Sequence, residues 1–267
     1  MYGLSFFCFF ATMKQFRQKQ ARPKKSLLIV GREAVRSALQ QGKELERVFL
    51  QNNLSSAITE EMKHLALNAQ VPINKVPIEK LNAFHVTGHE GVVAVISKIQ
   101  YQDLQNVISF VTEKGEAPLL LMLDGITDIR NIGGIARTAY CMGVHAIIIP
   151  EKGVGALNED AILTSAGALE QIAVCRVKSL MKAVDDLHLN GIKVYASEMT
   201  ASVTIDAIDL TEPSCIVMGG EEHGIYPALL KICDEKIKIP MKGNFESLNV
   251  SVATGMILYE AMKQRLP

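Results

Sequence analysis

IKIPMKGNFESLNVSVATGMILYE, residues 237–260, opens as a β-branched run, is stopped by Pro240, crosses a loop at Gly243 and restarts at Ser247 as a long helix. A strand that reverses through a loop into a helix gathers backbone amides and short polar side chains in one place. Ser247, Asn249 and Ser251 alternate with Leu248, Val250 and Val252. The helix entry therefore presents hydroxyls and an amide on one side and apolar contacts on the other, as the edge of a pocket does. The alternative reading makes Ser247 only an N-cap and the rest packing.

Working back from this stretch, apolar strand runs recur at 119–123, 145–149, 173–176, 192–196, 215–218 and 236–239. Helical stretches at 131–142, 158–166, 179–189 and 227–232 lie between most of them, the last opening on Pro227 at a first helical position. Continuous apolar strands separated by helices imply a parallel sheet covered on both faces. In such sheets ligands collect beyond the carboxyl ends of the strands. Further upstream, strands at 27–30, 47–50, 73–76 and 92–98 alternate with helices at 33–41, 56–68 and 78–85, describing a smaller α/β unit. The polar stretch 101–118, with KGEAP, reads as the connection. The organisation expected is a basic leader (1–26), a small α/β domain (27–98), a linker (99–117) and a parallel-sheet domain (118–267).

The chain has 267 residues, enough for a sizeable core, and 28 basic against 28 acidic side chains. Zero net charge argues against general electrostatic coating of nucleic acid, which depends on neutralising many phosphates. The charge is uneven, however: Lys14, Arg17, Lys19, Arg22, Lys24 and Lys25 precede Ser26 with no acid among them. That leader either touches RNA or is simply solvated. The opening MYGLSFFCFF is too short to span a bilayer and its charges follow the apolar run instead of preceding it, so cytoplasm is the default and no membrane association is expected. Cys8, Cys141, Cys175, Cys215 and Cys233 are odd in number and spread through apolar runs, which suits reduced core thiols. No CxxC pair or Cys/His cluster suggests a metal.

Three stretches carry unusual residues. In LDGITDIRNIGGIARTA, 123–139, Asn131 can cap a helix, yet Gly133 and Gly134 in its first turn each cost about 1 kcal/mol relative to alanine. Something must approach that backbone closely. Arg137 lies roughly 9 Å further along the axis and reads either as a solvated helix arginine or as a site residue. In IVMGGEEHGIYP, 216–227, two glycines after a buried strand free the backbone to face a ligand and put Glu221 at the sheet's carboxyl edge. Neither this loop nor GVGALN, 153–158, has the G-x-G-x-x-G spacing, and no Walker sequence occurs, which disfavours ordinary nucleotide cofactors. The third stretch is 237–260 itself. In the smaller unit, TGHEGV, 87–92, reads as a glycine turn, with His89 as an RNA contact the functional alternative.

N-x-G-x-x-x-R at 131–137, G-x-E-x-x-G at 219–224, I-P-M-x-G-x-x-x-S-L-N-V-S at 239–251 and TSAGALE at 164–170 resemble the SpoU branch of the SPOUT methyltransferases. These transfer a methyl group from S-adenosylmethionine to a ribose 2′-hydroxyl in RNA. The first unit and its HEGV, 89–92, resemble the ribosomal-protein-like RNA-binding module of the large-subunit rRNA guanosine 2′-O-methyltransferases in that branch. The resemblance implies a trefoil-knotted second domain and a homodimer acting on ribosomal RNA. It implies a cofactor site at Gly219, Gly220, Gly224, Ile239, Met241 and Leu248, and a catalytic and ribose-binding set of Arg137, Glu221, Asn131, Ser247 and Asn249. Two departures from its pattern, Ile129 where proline is usual and Gly134 where alanine is common, bear on loop geometry. The competing readings are a tRNA ribose methyltransferase and a non-catalytic RNA-binding protein of the same fold. On the residues, Arg137 is expected to clamp a phosphate and stabilise alkoxide charge, with Glu221 orienting Arg137 or taking the proton through water.

Overall fold

The computed structural model describes residues 27–155, 157–243 and 247–266; the basic leader lies outside them. The first sheet is built from β1 (Leu28–Val30), β2 (Leu45–Gln51), β3 (Ile73–Val76) and β4 (Val92–Ile96), in the order β1-β4-β2-β3. β4 runs antiparallel to both neighbours, while β2 and β3 are parallel. Helices α1 (Arg32–Gln40), α2 (Ser56–Asn68) and α3 (Ile78–Asn82) connect the strands. α3 is shorter than the pattern to residue 85 predicts, because His85 takes φ 54°, a left-handed conformation no helix continues. His89 serves its turn: Nδ1 accepts from the Gly91 N–H at 3.0 Å and Nε2 lies 3.1 Å from Asn82 Oδ1.

The polar stretch read as a linker contains a helix, α4 (Leu104–Glu113), capped by Asp103, whose side chain accepts from the Asn106 N–H. Its polarity is confined to one face. Leu104, Val107, Ile108 and Val111 recur at helical spacing and are buried against the second sheet.

That sheet comprises β5 (Leu119–Asp124), β6 (Ala146–Pro150), β7 (Ala173–Val177), β8 (Lys193–Ser197), β9 (Val203–Thr204), β10 (Ser214–Gly219) and β11 (Glu235–Lys238). Its order is β7-β6-β5-β10-β8-β11-β9 and every pairing is parallel. Only β9 escapes the sequence pattern, since two residues carry no periodicity. Along β5, Leu119, Leu121 and Leu123 enter one apolar cluster and Leu120 and Met122 the other, so both faces are covered. Helices α5 (Ile129–Cys141), α6 (Glu159–Thr164) and α9 (Val250–Arg265) contribute to the first cluster, and α4, α7 (Leu180–Leu189) and α8 (Pro227–Ile232) to the second.

Gly133 is approached not by a ligand but by the chain's own TSAG segment. A Cβ at 133 would lie 2.6 Å from Thr164 Cβ and 2.9 Å from the Ser165 nitrogen. Gly134 faces α9, with Ser251 Cβ 3.5 Å from the added carbon. Gly133→Ala is therefore expected to lose more to overpacking, about 1–3 kcal/mol, than the about 1 kcal/mol it gains in helix propensity. Thermal unfolding should show a Tm lower by about 2–4 °C for each kcal/mol of net loss; a raised Tm would show that α5 and α6 have room to separate.

Candidate active site

The carboxyl ends of β5 and β10 lie side by side, Asp124 in register with Gly219. The loops that follow are packed backbone on backbone. A Cβ on Gly220 would fall 2.4 Å from the Gly125 carbonyl oxygen, and one on Gly219 2.3 Å from the Gly224 carbonyl carbon. Only glycine permits that approach. Gly224, at φ 64°, donates its N–H to the Gly220 carbonyl at 2.9 Å and closes the turn that carries Glu221. Asp124, which no sequence motif singled out, accepts from the Tyr226 N–H at 2.7 Å and ties the two loops together.

Two helix caps fall on other residues than the candidates Asn131 and Ser247, and each leaves a functional group available. α5 is capped by Asp128, which accepts from the Arg130 N–H at 2.9 Å. Asn131 thus sits inside the first turn with its amide free to face the site. α9 is capped by Asn249 and not Ser247: Asn249 Oδ1 accepts from the Ser251 N–H at 3.0 Å and the Ser251 hydroxyl at 2.6 Å. The Asn249 nitrogen then points away from the helix.

The two amides meet on Glu221. Asn131 Nδ2 donates to Glu221 Oε1 at 2.9 Å, and Asn249 Nδ2 donates to the same oxygen at 2.8 Å and to Asn131 Oδ1 at 3.1 Å. The orientation is self-consistent. A carboxylate can only accept, so both neighbours turn nitrogen toward it; Asn131 then offers its oxygen to Asn249, and Asn249 its oxygen to the helix end. Three segments widely separated in the chain are locked by one acceptor. Glu221 Oε2 has no hydrogen bond among the described residues.

Arg137 is not drawn into this cluster. It is exposed on α5, without an ion pair to any described residue, and Glu221 bonds the asparagines instead of orienting it. Ser247 is likewise exposed and unbonded among the described residues. Of the residues expected at a cofactor site, Ile239 is buried, Gly219, Gly220, Met241 and Leu248 are half-buried and Gly224 is exposed. Ile239 and Met218 belong to one apolar cluster, and Leu248 packs against it. Half-buried apolar side chains and main-chain groups beside a carboxylate suit a cationic sulfonium with an uncharged aromatic base.

A parallel sheet whose loops meet at such a rim, preceded by a separate mixed sheet, defines a two-part RNA-modifying transferase when set beside known proteins. Residues 118–259 match the model of the SpoU rRNA Methylase family, and residues 28–102 match that of RNA 2′-O ribose methyltransferase substrate binding. The chain belongs to the SpoU family and is an S-adenosylmethionine-dependent RNA 2′-O-methyltransferase.

Among its relatives, YacO of Bacillus subtilis (strain 168), named for the TrmH family of tRNA/rRNA methyltransferases, is 32% identical over 239 residues, covering 90% of this chain and 96% of YacO. The fold is shared with the SpoU methyltransferase AviRb from Streptomyces viridochromogenes, solved with the cofactor AdoMet, at 24% identity and TM-score 0.56, over 89% of this chain and 90% of that one. A TrmH/SpoU tRNA modifying enzyme of A. aeolicus matches at 30% identity and TM-score 0.50, over 61% of this chain and 84% of its own. Among the described residues no helix is long and apolar enough to cross a membrane.

Proposed function

We propose that the protein methylates a guanosine 2′-hydroxyl in large-subunit ribosomal RNA, in the cytoplasm and as a homodimer. The observation that carries this is the separate substrate-binding unit matched over 28–102. The A. aeolicus enzyme, named for tRNA alone, aligns with 61% of this chain, whereas YacO, named for tRNA or rRNA, aligns with 90%. In this reading 27–98 docks folded RNA by shape and exposed loops, 99–117 joins it to the second unit, on whose sheet its helix α4 packs, and 118–267 carries out methyl transfer.

S-adenosylmethionine supplies the methyl group on a sulfonium, held by Gly219, Gly220, Gly224, Ile239, Met241 and Leu248. Asn131, Glu221 and Asn249 fix the rim on which the ribose lies, and Ser247 offers a hydroxyl to the sugar. Arg137 clamps the neighbouring phosphate and stabilises charge as the 2′-oxygen loses its proton, which passes toward Glu221 Oε2 through water. A paired arginine would first have to break a bond; this one, which pairs with no described residue, can take a phosphate directly.

The homodimer rests on α9. Val252, Met256 and Tyr259 recur at helical spacing yet stand exposed, as do Tyr140 and Arg137 on α5, the helix that packs against α9. An apolar stripe of that kind calls for a partner, and a second copy would bring the arginine to the joint. Sedimentation should give twice the 29.3 kDa chain mass; a 29.3 kDa particle at micromolar concentration would remove this part.

Mapping 2′-O-methyl positions in total RNA, with and without the gene, tests the substrate. One guanosine in large-subunit rRNA should lose its methyl group. Loss confined to tRNA would replace the reading with the tRNA alternative, and an unchanged map together with no S-adenosylmethionine binding would favour the non-catalytic one.

A further inference from the structure

The two sheets share no apolar core among the described residues. The clusters of the first sheet draw only on residues from 28 to 96, and those of the second only on residues from 99 onward. A cavity of about 320 Å³ lies between them, lined from one side by Phe49, Phe84 and Val95 and from the other by Val154 and Leu157. Their relative orientation therefore depends on polar ties.

One of those ties is built with unusual care. Arg176, half-buried on the edge strand β7, donates to the Glu46 carbonyl at 3.1 Å, the Leu45 carbonyl at 3.3 Å and the Gln70 carbonyl at 3.1 Å, all in the first unit. A regular strand points successive carbonyls in opposite directions, so one guanidinium could not take two in a row. β2 is bulged at this point: Leu45 pairs with Ile96 and Arg47 with Val95, leaving Glu46 as the extra residue. The bulge turns both carbonyls toward Arg176. Gln70, in the left-handed turn that ends α2 at φ 54°, supplies the third.

The guanidinium also lies 3.9 Å over the ring of Tyr101, and the Tyr101 hydroxyl donates to Glu46 Oε2 at 2.6 Å. Tyr101 is fastened to the second sheet through a bridge to Val174, continued by the Gln102 N–H to the Val174 carbonyl at 2.9 Å. Burial and the Glu46 carboxylate raise the phenol pKa well above its usual value, so the hydroxyl stays a donor. A second tie, Lys98 to Glu159 at 2.5 Å, is more exposed and more easily screened.

From this geometry we propose that Arg176, seated on Tyr101 and the β2 bulge, is a positioning residue that fixes the RNA-docking sheet relative to the methyl-transfer rim. The inference rests on the assignment of RNA docking to the first unit. A rigid join presents bound RNA to the rim at one distance; a loose join spreads the same RNA over many and lowers its effective concentration at the site.

The test uses the full chain, with total RNA from cells lacking the gene as substrate. Arg176→Ala should broaden the small-angle scattering distance distribution and raise KM for RNA about tenfold, while kcat at saturating RNA and S-adenosylmethionine affinity stay within about twofold. Tyr101→Phe keeps the ring and loses only the bond to Glu46; it should move KM the same way by about threefold, and it decides the matter if Arg176→Ala does not fold. A raised KM with unchanged scattering would mean that Arg176 touches RNA itself, and broadened scattering with unchanged KM that the join is idle; either result overturns the proposal, as does no change in both. Failure of the unmutated protein to methylate would instead fault the functional reading, and the scattering would still decide whether Arg176 holds the sheets together.

Discussion

Arg137→Lys is expected to lower turnover about a hundredfold or more, with S-adenosylmethionine affinity within about twofold of the unmutated protein. The substitution isolates chemistry from folding. Arg137 is exposed and pairs with no described residue, so its replacement should shift stability by no more than about 0.5 kcal/mol. A lysine keeps the charge but not the planar fork that holds phosphate oxygens by two parallel bonds. The pH profile separates the two roles open to this side chain. A guanidinium, with a pKa above about 12, is a poor base, whereas a lysine titrates near about 10.4. If position 137 accepts the proton, turnover of Arg137→Lys climbs with pH toward that value and overtakes the unmutated enzyme. If it stabilises charge, the variant stays low across the range. Near-normal turnover at neutral pH would sink the assignment altogether.

Much of the second sheet is legible because buried parallel strands leave short apolar runs, and their length, β-branching and flanking turn residues set them apart from buried helix. β5, β10 and α8 fall where their apolar runs and Pro227 predict. The site was legible only as three loops. Their convergence depends on strand order, which puts β10 beside β5, and no local pattern encodes that neighbour relation.

Caps are ambiguous in the sequence for a related reason. Asp128 and Asn131, or Ser247 and Asn249, are all competent N-cap residues within a few positions of one another, and the bond that occupies Asn131 instead goes to Glu221, 90 residues away in the chain. Gly133 was recognised as a point of close approach, but what approaches it is α6. The β2 bulge and the tie at Arg176 left no trace, because a carbonyl's direction is not a property of its side chain.

The amide cluster gives the second large effect, and substitutions at Asn249 can take it apart. Asn249→Ser keeps an oxygen to cap α9 and removes the amide that reaches Glu221 and Asn131. Stability should fall by under about 1 kcal/mol, and turnover about a hundredfold, because the loop before α9 is released from Glu221 and Asn131 and a misplacement of about 1 Å at a reacting centre is that costly. Glu221→Ala should cost about as much. The double variant should cost little more than either alone, since residues acting as one unit are not additive. Multiplying losses would show that Glu221 and Asn249 work separately.

Asn249→Asp sharpens the point. It keeps the cap but sets a second carboxylate against Glu221, where the amide nitrogen now lies 2.8 Å from Oε1. Two carboxylates that close cannot both ionise cheaply, so one pKa of the pair is raised. Above that raised value the pair repels and the loops part. Below it a shared proton takes the place of the lost N–H. Turnover of Asn249→Asp should therefore recover as pH falls, whereas Asn249→Ser, which has no proton to regain, stays low throughout. A pH-independent loss in the aspartate variant would mean that Asn249 contacts the ribose directly and that its bond to Glu221 is incidental.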